Sequence, residues 1–151
     1  MAIAMLPPAR VMITEGLDQL RCVRLSPDGL HRWYAGCCRT PIGNSRSRRV
    51  PFVGLMRVFM DLDESARSIL GDPIGVQARF ADGRAPRGAH ARAPLSLILR
   101  AASKLLRWWL TRQGKPSPFF DATGAPAAEP HVLGSAERDA LAHKSEAPAS
   151  S

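Results

Sequence analysis

The sequence predicts an α+β protein: a partial antiparallel sheet of five or six short strands with one amphipathic helix toward the C-terminus. Short apolar runs alternate with turn-forming residues over the first sixty positions, as expected for strands joined by tight turns. One stretch, PLSLILRAASKLLRWWLTRQG from Pro94, instead repeats its apolar residues at helical spacing. The length of 151 residues allows one domain with a buried core.

Four strands are predicted in the first sixty residues, at 9–13, 19–25, 30–36 and 50–60. Residues 26–29 (SPDG) have the composition of a type I turn. Residues 40–44 (TPIGN) predict a loop, because Pro, Gly and Asn favour turns. Strands of this length and spacing favour an antiparallel meander whose edges need a cover.

Three further elements are predicted in the centre of the chain: a short helix at 63–70, a strand at 74–80 and an exposed loop at 81–93. The predicted domain therefore spans residues 1–118, with the helix at 95–112 as its cover. Residues 119–151 predict a Pro- and Ala-rich tail with a disordered end. Within this tail, Ser135 can cap one short helix that runs to about His143.

The helix at 95–112 has one apolar and one basic side. The apolar stripe contains Leu95, Ile98, Leu99, Ala102, Leu105, Leu106 and Trp109. Arg100, Lys104 and Arg107 fall on the other side. We expect the stripe to pack on the sheet, since apolar strands need a covering layer. The alternative is a binding module whose helix, over residues 95–110, docks on a membrane surface or a partner protein, and Trp108, which lies off the stripe, favours it.

The net charge of +8 does not by itself indicate a nucleic-acid partner. Eighteen of the 21 basic residues are Arg, and a GC-rich coding sequence also produces that bias. The cluster Arg46, Arg48 and Arg49 lacks the interleaved aromatic residues that stack on bases. We therefore expect a solvated loop there.

The sequence predicts a cytoplasmic protein whose cysteines are reduced. Its three cysteines are an odd number, which argues against a secreted disulfide scaffold. The start, MAIAMLPPAR, has no basic segment before its apolar residues, so no signal peptide is predicted. No apolar run is long enough to span a bilayer. The four histidines lack metal-ligand spacing, and the sequence contains neither a phosphate-binding glycine loop nor a nucleophile elbow.

The adjacent cysteines Cys37 and Cys38 are the candidate metal ligands. Neighbouring residues in a strand point to opposite faces, so both thiols reach one ion only if the backbone turns there. The following residues, RTPIGN, permit such a turn. Tetrahedral zinc needs four ligands, however, and Cys22 is most simply a small core residue. The residues alone do not complete a zinc site.

The run RCVRLSPDGLHRWYAGCCRTPIGN, together with VPFVGL and SPFFDATGAP, resembles an uncharacterised bacterial family. That family is related to the glutathione-dependent formaldehyde-activating enzymes, which have a β-tent zinc fold. The resemblance covers residues 8–142 and implies zinc bound by cysteine thiolates. In complete relatives it also implies a carbon–sulfur lyase-like activity on a glutathione adduct.

Only part of the family pattern is present in this sequence. Cys38 falls on the second cysteine of the family's late pair; the first falls on Ala35, for which Cys37 is the substitute. The N-terminal Cys-x-Cys-Gly and Cys-x-x-Cys motifs of the relatives are absent. We therefore expect an N-terminally incomplete, non-catalytic member of the zinc family, with Cys37 and Cys38 as its remaining ligands.

Overall fold

The computed structural model describes residues 3–57, 60 and 94–146, with side chains up to residue 140, and forms one sheet and two α-helices. The strands are β1 (Ile3–Leu6), β2 (Leu20–Arg24), β3 (His31–Ala35), β4 (Pro41–Ser45), β5 (Val53–Met56) and β6 (Pro130–Val132). The helices are α1 (Leu95–Leu110) and α2 (Ser135–Glu146), and short 3-10 helices lie at Pro8–Arg10 and Leu17–Gln19. The predicted α+β class is confirmed.

The six strands lie in the order β1-β5-β4-β3-β2-β6. Strands β2 to β5 form the predicted antiparallel meander, and β1 joins β5 in the antiparallel sense. Strand β6 pairs with β2 in parallel, so the sheet is mixed rather than wholly antiparallel. A parallel pair needs a long crossover connection, and here residues 25–129, which include β3, β4, β5 and α1, lie between the two strands in the chain.

The strand predictions hold at β2 and β3, and β5 is shorter than predicted. The strand predicted at 9–13 is wrong, because Pro8 begins a 3-10 helix and the first strand lies earlier, at Ile3–Leu6. The loop predicted at 40–44 is also wrong, because this segment forms β4. Gly43 is what lets β4 approach β5: a Cβ there would lie 2.5 Å from the carbonyl oxygen of Gly54. The elements predicted at 63–70, 74–80 and 81–93 lie outside the described residues.

The core lies on one face of the sheet and is centred on Trp33 in β3, which is 1% exposed. Its ring lies 5.2 Å from the Phe119 ring and 5.9 Å from the Phe120 ring, measured between centroids. Its indole Nε1 donates a 2.8 Å hydrogen bond to Ser45 Oγ in β4. The tryptophan therefore joins two strands and a distant loop in one packed cluster.

Residues 119–132 are part of the domain and not a separate tail. Phe119 and Phe120 are buried in the core, and β6 extends the sheet. The loop between them is held by Asp121, whose Oδ1 accepts hydrogen bonds from the backbone N–H groups of Thr123, Gly124 and Ala125. Apolar packing of the two phenylalanines thus overrides the Pro- and Ala-rich composition that predicts a tail.

His31 is a polar member of this core. It is 7% exposed, stacks on Trp33 at a centroid distance of 5.7 Å, and donates from Nδ1 to the Arg46 carbonyl oxygen at 2.9 Å. Burial lowers the pKa of His31 below its ordinary value, because the charged form is poorly solvated there. The charged form of this imidazole is therefore disfavoured in the core.

Helix α1 has the predicted bounds to within two residues, but its apolar stripe does not cover the sheet. Leu95, Leu99 and Trp109 are 70%, 61% and 63% exposed, respectively. The half-buried residues of the helix are Leu97, Ala101, Leu105 and Trp108, and of these Leu105 alone belongs to the predicted stripe. The turn after the helix is tied to the 3-10 helix that follows β1, because the Ala9 N–H donates to the Gln113 carbonyl at 3.0 Å. Its side chains there border a cavity of about 260 Å³ beside Leu6 and Pro7.

Helix α2 confirms the short helix predicted from Ser135, and it extends three residues beyond His143 to Glu146. The cap is different from the predicted one. Ser135 is the first helical residue, and Glu137 Oε2 accepts a 2.8 Å hydrogen bond from the Gly134 N–H. No helix in the described parts of the chain is long and apolar enough to cross a membrane.

Ser45→Ala is expected to lower the free energy of unfolding by about 1–3 kcal/mol, because it leaves the buried Trp33 N–H without an acceptor. Ser45 is 2% exposed, so water cannot easily replace its hydroxyl. Urea unfolding followed by circular dichroism measures the change. Ser96→Ala, on the exposed surface of α1, is the matched control and should shift stability by less than about 0.5 kcal/mol. Equal stability of Ser45→Ala and the parent would contradict this role of the hydroxyl.

Candidate functional site

The candidate site is the turn that follows β3. The strand ends at Ala35, whose N–H donates to the Thr40 carbonyl at 3.0 Å and whose carbonyl accepts from the Arg39 N–H at 2.7 Å. Arg39 has a φ of 58°, in the left-handed region. The Gly36 N–H donates to the Gln19 carbonyl at 2.7 Å. The chain therefore turns across residues 36–39, and the turn is tied to the start of β2.

The turn brings the two adjacent cysteines together. Cys37 Sγ lies 3.6 Å from Cys38 Sγ, and both side chains are exposed. In an extended strand the two sulfurs would point to opposite faces. The backbone turn that the sequence permits is thus present, and the two predicted ligands share one side of it.

Thr40 makes the two thiols chemically different. Its hydroxyl lies 3.0 Å from Cys38 Sγ. Hydrogen bonds from the Thr40 side chain and then from its backbone lower the pKa of the Cys38 thiol, because both stabilise the thiolate. The hydrogen bond that Cys37 donates to Cys38 raises the pKa of Cys37. Cys38 is therefore the more readily ionised thiol, and Cys37 is a hydrogen-bond donor to it.

Cys22 is not a third member of this site. It lies in β2, is 2% exposed and pairs across the sheet with Trp33. Burial raises its pKa to about 11, which makes it an inert core thiol, as the sequence indicates. Ala35 ends β3 with a methyl group that cannot bind metal.

The described histidines are engaged elsewhere. His31 Nδ1 is bonded to the Arg46 carbonyl within the core. His131, in β6, pairs through Nε2 with Glu137 Oε1 at 3.2 Å. Among the side chains that the structure describes, at residues 3–57, 60 and 94–140, no group of three or more His, Cys, Asp or Glu is arranged to hold a metal ion. The pair therefore offers two ligands and no more from this part of the chain.

The basic cluster after β4 is divided between two roles. Arg48 donates from a guanidinium nitrogen to the Ala122 carbonyl oxygen, which ties the β4–β5 loop to the loop after Phe120. Arg46 and Arg49 are exposed. Arg48 thus contributes to the fold, and the cluster does not form one continuous cationic surface.

Sequence reasoning missed Thr40 as a functional residue. A hydroxyl two positions after a cysteine is a weak indication, because Thr-Pro also predicts a turn. The bond to Cys38 Sγ depends on the left-handed Arg39 between the two residues. That conformation is not evident from an arginine in the sequence.

Comparison with known protein families identifies a match over most of the chain. The model of a family of unknown function, DUF6151, matches residues 3–131. No curated protein and no solved structure matches the chain. The family match covers the whole sheet up to the middle of β6, including the turn and its cysteines.

Thr40→Val is expected to slow alkylation of Cys38 by iodoacetamide several-fold at pH 7 and to move the rate profile to higher pH. The valine keeps the shape of threonine but loses the hydroxyl bond that favours the thiolate. The rates are measured by mass spectrometry in a Cys37→Ser background, so that one exposed thiol reacts. Thr40→Ser is the control and should retain the parent profile. An unchanged profile in Thr40→Val would show that the hydroxyl does not act on Cys38.

Proposed function

The chain belongs to the DUF6151 family of unknown function, and for this member we propose zinc binding, with Cys37 and Cys38 as two of the ligands. The observation that carries this proposal is the 3.6 Å separation of the two exposed sulfurs. Zn–S bonds of about 2.3 Å at the tetrahedral angle place two sulfurs about 3.8 Å apart. The pair is thus already spaced as one edge of a zinc tetrahedron.

The chemistry of the pair supports the same conclusion. Zinc binds thiolates rather than thiols, and soft sulfur ligands favour it over magnesium or calcium. Cys38 is held toward the thiolate form by Thr40, so binding needs proton loss mainly from Cys37. The Thr40 hydroxyl is also placed to remain bonded to the Cys38 sulfur in the metal-bound form, as outer partners of metal ligands do.

The resemblance of the surrounding sequence to a zinc-binding family is a second support, independent of the distance. The proposed activity is metal binding and not catalysis. Among the described residues, Thr40 provides the side chain that hydrogen-bonds to the cysteine pair from outside it. A threonine hydroxyl is a poor general acid or base. Zinc at this position would hold the turn and link it to whatever supplies the remaining ligands.

The double variant Cys37→Ser/Cys38→Ser is expected to lose zinc affinity by more than about a hundredfold, since even outer partners of metal ligands contribute 10–100-fold. Competition with a chromophoric chelator under reducing conditions measures the affinity, and elemental analysis measures the bound zinc. Cys22→Ala is the matched control: it removes a thiol from the core and should leave zinc binding intact. The proposal fails if the parent binds no zinc or if the double variant binds it equally well.

Helix α1 supports a second candidate function, docking on an anionic membrane surface. The apolar side of the helix is open to solvent, with Ile98 50%, Leu106 58% and Leu110 65% exposed. Residues 95–118 carry five basic and no acidic side chains. An exposed apolar stripe opposite a basic side is typical of helices that lie in the lipid headgroup region. The positive charge of the helix favours anionic lipids over neutral lipids.

The protein is expected to bind vesicles of mixed phosphatidylserine and phosphatidylcholine, with a blue shift of Trp109 fluorescence, and to bind phosphatidylcholine alone much less. Ile98→Ser/Leu106→Ser should abolish binding, because it removes two apolar side chains from the stripe. The variant Trp109→Phe retains Trp33 and Trp108, so loss of the blue shift in this variant assigns the signal to Trp109. Absence of binding to the anionic vesicles at low salt would exclude this function.

A further inference from the structure

The turn after β3 has two sulfur ligands for an ion that takes four. Within the described residues no third ligand accompanies Cys37 and Cys38. Both side chains are exposed, as are Gly36 and Arg39 on either side of them. A second chain can therefore approach the open side of the pair without displacing core residues.

We propose that one zinc ion is shared by the Cys37–Cys38 pairs of two copies of this chain, so that zinc joins them into a symmetric dimer. The inference rests on the proposed zinc site and names the partner that completes it. A twofold axis through the ion relates the two sulfur pairs, and symmetric pairing is the commonest form of oligomer. Each pair supplies one edge of the tetrahedron, and the two edges are equal by symmetry.

Charge favours this arrangement. Four thiolates around Zn²⁺ carry a net charge of −2, and on assembly each Cys37 thiol, together with any Cys38 still protonated, releases its proton to solvent. Arg39 directly follows Cys38 and is exposed, so each copy adds one positive charge to the turn that carries the sulfur pair. The overall charge of +8 per chain opposes association, but at 0.15 M salt charges more than about 8 Å apart are largely screened.

Competition for zinc gives the dimer a distinctive concentration dependence. At one zinc per two chains, each ion has four thiolates available, and the dimer is favoured. In excess zinc each pair can hold its own ion with water as the other ligands, so the dimer separates by mass action. A dimer formed through the exposed stripe of α1 would not respond to zinc in this way.

The test is a zinc titration of the full chain, reduced with a phosphine and kept at 0.15 M salt, followed by sedimentation velocity and by zinc analysis of the separated species. We expect a dimer that is maximal at 0.5 zinc per chain, decreases in excess zinc, and is dissociated by EDTA. Cys22→Ala should dimerise as the parent does, and Cys37→Ser/Cys38→Ser should stay monomeric while its circular dichroism is unchanged. Arg39→Glu should weaken dimerisation at least tenfold, because it places two anions beside a dianionic centre.

Three results would overturn the inference, and they separate it from the function on which it rests. One zinc per chain in a monomer at every ratio overturns the shared ion but supports zinc binding. A dimer that persists in EDTA overturns it in favour of another interface. Absence of zinc from the parent and all variants overturns the shared ion and the proposed function together.

Discussion

The packing of Trp33 is the interaction on which the rest of the structure depends. Its ring is buried on the core face of β3, its N–H is bonded to Ser45 in β4, and Phe119 and Phe120 lie against it. These contacts fix the middle of the sheet and draw in a loop from the far end of the chain, which brings β6 beside β2. Because β3 is held between β2 and β4, the position where it ends is fixed too. The cysteine turn therefore follows an interior strand of the sheet, held between β2 and β4.

The local elements of this fold could be predicted, and the distant ones could not. Strands β2 and β3 alternate apolar and polar residues, and α1 repeats its leucines at helical spacing, so their own residues identify them. The residues of β4 predict a loop, because Pro, Gly and Asn are all turn formers. The close approach of Gly43 to Gly54 explains why this strand contains a glycine. Strand β6 depends on a pairing with residues more than a hundred positions earlier, which no local pattern contains.

The same division applies to the functional features. The cysteine pair is evident from the sequence, but the 3.6 Å spacing and the bond from Thr40 to Cys38 depend on the turn geometry. For α1, the apolar stripe is correctly predicted as a stripe, and the side that faces the domain is not. Periodicity reports which residues share a face but not what that face meets. Here the turn after the helix is bonded to the 3-10 helix that follows β1, and the side around Trp108 is the half-buried one.

The conformation of Arg39 bears on what the turn is for. A left-handed residue other than glycine costs roughly 1–2 kcal/mol, and a turn whose role was only to connect β3 with β4 would be more stable with glycine at this position. The strained conformation directs the chain so that the Thr40 hydroxyl and backbone reach the Cys38 sulfur. Glycine would keep that geometry but remove the positive charge. Arginine occupies a position where its backbone is unfavourable, and what it adds beyond glycine is an exposed positive charge one residue after Cys38. A cluster of thiolates around a zinc ion carries the negative charge that such a cation balances.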